Sequence, residues 1–473
     1  MVKGKLDASK AKDFESAVKK SEVPSLTDAG NAIRFVRQHG QNIRYVSEYG
    51  VWIIWTGKRW ELDKDGAIMR LAKQTAREIY AEAIDAESAQ AAAAIAKHAR
   101  QSESRRSLEA LISLARSETG ITISQDRLDA DPMLLGVENG CVDLSSGELL
   151  KSTKNKYITK QAATRADSAE LCPTWDKFMA EITAGDDDLV AYIQRLVGYC
   201  LSGRTGEQIL AFLYGTGANG KSTFLVTLRG LLGAYARQSP AETLLARREG
   251  GINNDIARLR GARLVTCVET EDGKRLAEAM VKQLTGGDPV TARFLHQEFF
   301  EFVPEFKIFL AANHRPIIRG DDIGMWRRIH LIPFTVTIPA EKRDKALPDK
   351  LRAEWPGILA WAIRGCLAWQ RDGLQPPRAV VEATQHYREE MDLIGAWISE
   401  RCMLAEAAKV QASVAHRDYS KWIEDRGARA MSQMSFSRKL EERGYSRVKD
   451  GVVNFWGIGL AAQDVVACPE AST

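Results

Sequence analysis

Eight residues, Gly215-Thr-Gly-Ala-Asn-Gly-Lys-Ser222, fit the pattern G-x-x-x-x-G-K-[S/T]. In that pattern the glycines let successive backbone N–H groups turn inward around a polyphosphate. Lys221 would reach the β- and γ-phosphates, and Ser222 would offer its hydroxyl to Mg²⁺. Gly215, Thr216, Gly217, Ala218, Asn219, Gly220 and Thr223 complete the candidate nucleotide-binding segment. A phosphate loop also needs an acid at the end of a nearby strand, to hold the Mg²⁺ shell and polarise water. Glu269 ends the apolar run Arg263–Val268, and Glu271 follows two residues on. Asn313 ends another such run, Phe306–Ala312, where an amide beside the γ-phosphate can orient water. Just beyond it, Arg327 and Arg328 are a pair able to stabilise transition-state charge on a neighbouring subunit's nucleotide.

These groups work only if strands and helices aim them. The loop follows Ile209-Leu-Ala-Phe-Leu-Tyr214, a buried strand by its composition, and precedes a helical segment, Thr223–Leu232. From 207 to 335 strands and helices alternate, which predicts an open α/β sheet. Within it, residues 290–302 read as an inserted hairpin turning near Leu295-His-Gln297. Ahead of this core, 43–60 predicts a hairpin turned at Thr-Gly-Lys. Residues 67–118, without Gly or Pro, predict helices, 131–150 a small β-rich element, and 175–201 more helix.

After the core, 340–395 is helical, with Trp355, Trp361 and Trp369 packing inward. Helices Ile394–Cys402, Val414–Arg426 and Ser435–Arg443 and a ribbon over 444–456 then follow in winged-helix order. From 407 to 460, ten Lys and Arg stand against six Asp and Glu, a net +4 that equals the charge of the whole chain. Arg438 and Lys439 on the last of these helices, with Arg447 and Lys449 on the ribbon, are candidate DNA contacts.

The domain reading is a frayed terminus (1–25), an N-terminal accessory and oligomerising domain (26–205), an ATPase core (206–340), a helical lid (341–395), a winged helix (396–460) and a disordered tail (461–473). A chain of 473 residues has length for several full cores. No apolar run approaches a membrane span, and Met-Val-Lys-Gly-Lys-Leu-Asp lacks a secretory core. The seven cysteines are scattered without a C-x-x-C pair, and the seven histidines lack metal-ligand spacing. Both facts count against a zinc module or disulfide framework and for a reducing compartment, with the cytoplasm of a bacterial host expected.

The order of these parts resembles the superfamily 3 helicases, hexameric AAA+-like motors of small viruses, phages and plasmids. More narrowly it is similar to the helicase half of the phage/plasmid primase–helicases typified by satellite-phage replication proteins and the poxvirus uncoating-factor helicase. The resemblance spans roughly 30–335. It rests on Trp52-Ile-Ile-Trp-Thr-Gly-Lys-Arg-Trp60, Asn139–Leu149, Gly215–Thr223, Glu269–Leu276, Lys282–Arg293, Ala312-Asn-His-Arg-Pro316 and Trp326–Phe334.

The resemblance implies ATP and Mg²⁺ as cofactors, Lys221 and Ser222 in the first nucleotide motif, Glu269 in the second and Asn313 as sensor. It implies a homohexamer on single-stranded or forked DNA, with Arg293 and His296 of the hairpin reaching the DNA channel and Arg328, in preference to Arg327, as the trans-acting finger. Two departures stand out. Thr270 separates Glu269 from Glu271 where many relatives have adjacent acids, and only about thirty residues precede the matching region where full-length relatives carry a primase. The expectation is therefore an ATP-dependent DNA helicase of a phage, plasmid or other mobile element, working with a separate primase or primase–polymerase. The alternative is a replication initiator or loader assembled on an origin by ATP. A small-molecule kinase would explain neither the inserted hairpin nor the closing unit.

Overall fold

The computed structural model describes residues 24–246, 254–269, 274–294, 298–318, 322–426 and 430–461; within these, the side chains of Glu269 and Asp450 are not described. Of the candidate residues, Glu271 and His296 lie outside this range, as do the terminal segments 1–23 and 462–473.

The N-terminal part opens with α1 (Asp28–His39), where the Thr27 hydroxyl accepts the Gly30 N–H and so satisfies a free helix-end donor. Strands β1 (Ile43–Val46), β2 (Val51–Trp55) and β3 (Trp60–Leu62) form two successive antiparallel turns. The single hairpin expected over 43–60 is thus a three-strand meander. Helices α2 (Ala67–Glu82), α3 (Ala89–Ser102) and α4 (Arg105–Ala115) pack on it through Phe35, Trp52, Ala72, Leu108 and Leu111, and β4 (Thr122–Ile123) joins β1 in parallel. A second meander, β5 (Leu134–Val137), β6 (Gly140–Asp143) and β7 (Glu148–Leu150), leads to α5 (Pro173–Ile182) and α6 (Asp187–Leu201).

The central layer is built from β8 (Leu210–Tyr214), α7 (Lys221–Leu232), β9 (Ala236–Gln238), α8 (Asn254–Ala257), β10 (Leu264–Glu269), α9 (Glu278–Gly286), the ribbon β11 (Val290–Ala292) and β12 (Phe300–Phe302), β13 (Lys307–Ala312), α10 (Ile323–Trp326) and β14 (Ile329–Pro333). Its five-stranded sheet runs β14-β8-β13-β10-β9, with every pair parallel. Strands buried on both faces need apolar residues at every position, which is why these segments are continuous apolar runs. Ala211 and Leu213 face a core shared with α5–α7, while Leu210 and Phe212 face the opposite core with Val281 and Phe302.

Four helices follow: α11 (Leu347–Ala353), α12 (Trp355–Asp372), α13 (Arg378–Met391) and α14 (Leu393–Arg401). Trp361 is buried, and Trp355 and Trp369 pack against the same core. The closing unit contains β15 (Cys402–Gln411), α15 (Ala412–Glu424), α16 (Gln433–Glu442), β16 (Ser446–Asp450) and β17 (Val452–Leu460), with strand order β15-β17-β16. Strand β15 was not expected. Three of its ten residues are Ala and most are exposed, so neither propensity nor alternation marks it; pairing with β17, with a register shift between Leu404 and Lys409, makes it a strand. No described helix is long and apolar enough to cross a membrane.

Candidate nucleotide-binding site

Strand β8 ends at Tyr214, and the chain turns over residues 215–220 into the N-terminus of α7. Two glycines are required here for different reasons. A Cβ on Gly215 would lie 2.1 Å from Asn219 Nδ2 and 2.2 Å from the Phe334 carbonyl. Gly220 has φ of +82° and its added Cβ would meet Ile182 at 2.5 Å. Ala218 is itself left-handed, at φ +51°, and its carbonyl accepts the Ile338 N–H at 2.8 Å.

Lys221 is buried, 6% exposed. Its ammonium donates to the Gly215 carbonyl (2.5 Å), to Asn219 Oδ1 (3.1 Å) and to Asn313 Oδ1 (3.2 Å). None of these partners is charged, and burial pulls the pKa down from 10.5 to about 8. Asn219 holds the other side of the loop by donating Nδ2 to the Phe334 carbonyl at 3.1 Å. Ser222 and Thr216 are exposed and Thr223 is half-buried.

Asn313 follows β13, which lies between β8 and β10. Ala312 is in register with Tyr214 on one side and Glu269 on the other. Tyr214, Ala312 and Glu269 therefore form one row along the carboxyl edge of the sheet, each strand about 4.8 Å from the next. That is where open α/β sheets bind ligands.

The arginine pair sits at the opposite edge. Arg328 precedes β14, its carbonyl accepts the Leu210 N–H (2.7 Å), and Ile329 is in register with Leu210, the first residue of β8. About 13 Å of strand separates this end from the chain's own loop. Arg328 is 8% exposed, and its guanidinium donates to Thr285 Oγ1 (3.2 Å), the Gly324 carbonyl and Gln208 Oε1 (3.4 Å). Arg327 is exposed, and its guanidinium donates to Gln208 Oε1 at 2.6 Å. The preference for Arg328 as an outward finger thus reverses: its donors are committed to its own chain.

On the inserted ribbon, Val290 to Ala292 pair with Phe302 to Phe300, and the Arg293 guanidinium lies over the Phe299 ring at 4.7 Å. In the closing unit, Arg438 lies 3.6 Å from Glu442 and Arg447 3.1 Å from Glu441, while Lys449 is exposed. Arg438 and Lys439 line a cleft of about 900 Å³ shared with Glu278, Asp322 and Glu389, so this helix faces the rest of the chain.

Arg315 was missed in the sequence. It lies 4.4 Å over the ring of Tyr214, the residue before the loop, and 5.7 Å from that of Tyr387, and it pairs with Glu390 on α13. Its Nε is buried without a hydrogen-bond partner among the described residues. A cation three residues beyond the strand end was the available signal; its partners Tyr387 and Glu390 lie too far along the chain to be read locally.

Comparison with known proteins agrees with the motifs. Residues 32–184 match a family described as D5 N terminal like, and residues 213–328 match a family of unknown function, DUF5906. Three viral proteins named as candidate helicases are similar in sequence. One from Acanthamoeba polyphaga mimivirus is 29% identical over 315 residues, covering 61% of this chain and 32% of the relative. One from Frog virus 3 is 29% identical over 221 residues (42% and 22%), and one from Invertebrate iridescent virus 6 is 26% identical over 254 residues (51% and 26%). The chain thus spans about a third or less of the length of these relatives. Among solved structures, the apo C-terminal region of NrS-1 aligns at 10% identity and a TM-score of 0.49, covering 91% of this chain and 99% of that one. Another form of the same region gives 8% and 0.47, covering 89% and 96%. The chain is similar to phage- and virus-type primase–helicases.

Proposed function

We propose that the chain is the motor of an ATP-driven DNA helicase of a virus, phage or other mobile element, and that it works as a ring whose nucleotide sites lie between subunits. The observation that carries this reading is Lys221: a buried ammonium at a helix N-terminus whose hydrogen-bond partners among the described residues are the Gly215 carbonyl and the amide oxygens of Asn219 and Asn313. A buried cation with no charged partner among the described residues suits an anionic ligand, and the α7 N-terminus favours the same charge. The residues fit ATP and Mg²⁺ on that ground, with Lys221 and the loop N–H groups for the phosphates and Ser222 and Glu269 for the metal.

Bound ATP with its Mg²⁺ would supply the phosphoryl bond whose hydrolysis drives movement. Lys221 would exchange its carbonyl and amide partners for phosphate oxygens, recovering the charge stabilisation that burial removes. That exchange frees the Asn313 amide to hold a water molecule, which Glu269, one strand over, would polarise. Arg327 lies too far from its own loop to take part and is exposed for a neighbour's nucleotide, which supports the ring. The sheet order, with the Asn313 strand between the loop strand and the Glu269 strand, supports an AAA+-like core. The helices and three-stranded sheet of 393–460 support a winged helix-like closing unit.

The test is strand displacement on forked DNA beside phosphate release. Wild-type protein should do both and Lys221→Ala neither, at an unchanged circular dichroism spectrum. ATP hydrolysis without displacement would refute the helicase reading, and hydrolysis by Lys221→Ala would refute the site.

A further inference from the structure

Gln208 lies two residues before Leu210 on β8, as Arg327 lies two residues before Ile329 on β14, and Leu210 and Ile329 are in register. Residues 208 and 327 are therefore neighbours at the strand-start edge of the sheet. Gln208 Oε1 accepts the Arg327 guanidinium at 2.6 Å and lies 3.4 Å from Nη2 of Arg328. Its Nε2 donates to the Gly286 carbonyl at 2.9 Å, at the C-terminal end of α9.

Both ends of this amide are fixed. A carboxamide has one accepting atom and one donating atom, so a guanidinium on one side and a carbonyl on the other admit a single orientation. The backbone is fixed as well. Gln208 has φ of +54°, a left-handed conformation uncommon outside glycine, and its N–H closes a turn onto the Thr205 carbonyl at 3.0 Å. Before it, the Glu207 N–H donates to the Tyr199 hydroxyl at 3.2 Å, and Trp369 Nε1 donates to Glu207 Oε1 at 2.7 Å. An ordinary strand start needs neither the polar side chain nor the left-handed backbone, and such outliers collect at functional sites.

We propose that Gln208 is the positioning residue for Arg327, aiming its guanidinium at the nucleotide of the neighbouring subunit. A neutral oxygen suits this task. It orders a long side chain before the neighbour arrives, so that less rotamer freedom is lost on assembly. It also leaves the positive charge uncancelled, where a carboxylate would form an ion pair with it. Gln208 touches no nucleotide itself and acts through the arginine. The inference rests on the ring reading, because aim matters only if Arg327 serves a shared site.

The experiment measures phosphate release, binding of a fluorescent ATP analogue and thermal melting for full-length variants. Gln208→Asn is one methylene shorter, which breaks the contact, while asparagine is among the residues that accept a left-handed backbone. It should melt near wild type and bind the analogue as wild type does. It should lose about ten-fold or more in kcat at unchanged KM, since a misplacement of about 1 Å can cost roughly 100-fold. Mixed with excess Lys221→Ala protein it should regain hydrolysis, because the hybrid interface pairs its intact loop with a correctly held arginine. Gln208→Glu keeps the length but neutralises Arg327; it should show the same loss and the same rescue, and it decides the matter if Gln208→Asn does not fold. The double variant Gln208→Asn/Arg327→Ala should be no slower than Arg327→Ala alone. Wild-type kcat in both Gln208 variants would overturn the proposal. So would a loss that Lys221→Ala protein does not restore while it does restore Arg327→Ala, since Gln208 would then act on its own loop through β8. If Arg327→Ala is not restored either while subunits exchange, the ring reading falls and the positioning role falls with it.

Discussion

Lys221 should make the stability of the ligand-free protein depend on pH in a way that a bound anion abolishes. Its ammonium is buried among neutral oxygens and its pKa falls from 10.5 to about 8. Below pH 8 the group is charged in both folded and unfolded chains, and the folded chain carries the whole desolvation penalty. Between about 8 and 10.5 the folded chain has released the proton and the unfolded chain has not, so the unfolded state binds more protons and stability rises with pH. Above 10.5 both are neutral and the penalty is gone. At 1.36 kcal/mol for each pH unit, the gap amounts to about 3 kcal/mol. Lys221→Met removes the titrating group while keeping most of its volume. Other titrations cancel in the comparison, so wild type should gain about 3 kcal/mol relative to Lys221→Met between pH 7 and 10.5. The assay is urea denaturation followed by tryptophan fluorescence at several pH values. With saturating ATP analogue and Mg²⁺ the wild-type dependence should flatten, because phosphate restores the favourable charge environment. Parallel pH curves for the two ligand-free proteins would refute the closed, desolvated loop.

Glu269→Gln should keep nucleotide binding and lose at least 100-fold in phosphate release, with Glu271→Gln the milder change; steady-state hydrolysis beside a nucleotide thermal shift checks both. Arg327→Ala should be inactive alone and regain displacement when mixed with excess Lys221→Ala protein, because a hybrid interface pairs an intact loop with an intact arginine; no rescue while subunits exchange would refute the shared site. Arg328→Ala should instead lower the melting temperature, since it leaves Thr285 and the Gly324 carbonyl without their buried donor, a loss of about 1–3 kcal/mol. The double variant Arg438→Ala/Lys439→Ala should reduce the salt dependence of duplex binding only if the cleft they line opens; an unchanged slope would locate the duplex contacts at Arg447 and Lys449.

What the sequence showed and what it hid follow from how far each feature reaches along the chain. The loop, its strand and its helix lie within 25 residues and carry fixed residue types, so they could be read directly. Strands β10 and β13 were legible because a parallel strand buried on both faces must be apolar throughout. Strand β15 carries no such mark, and only its partner β17 makes it a strand. Glu269 and Asn313 were readable as strand-end residues, yet their closeness depends on the crossing order β8-β13-β10, which no local pattern encodes. The arginine pair shows the same limit more sharply. Two adjacent arginines look equivalent in the chain, and only the packing of Thr285 on α9 and of the Gly324 carbonyl around Arg328 sets them apart. Their place at the start of β14 has a larger consequence. In a parallel sheet every loop that could hold phosphate lies at one edge and every strand start at the other. On the proposed ring, an arginine at a strand start would serve a nucleotide across a subunit boundary, and hydrolysis by this chain should then rise more steeply than linearly with protein concentration until assembly is complete.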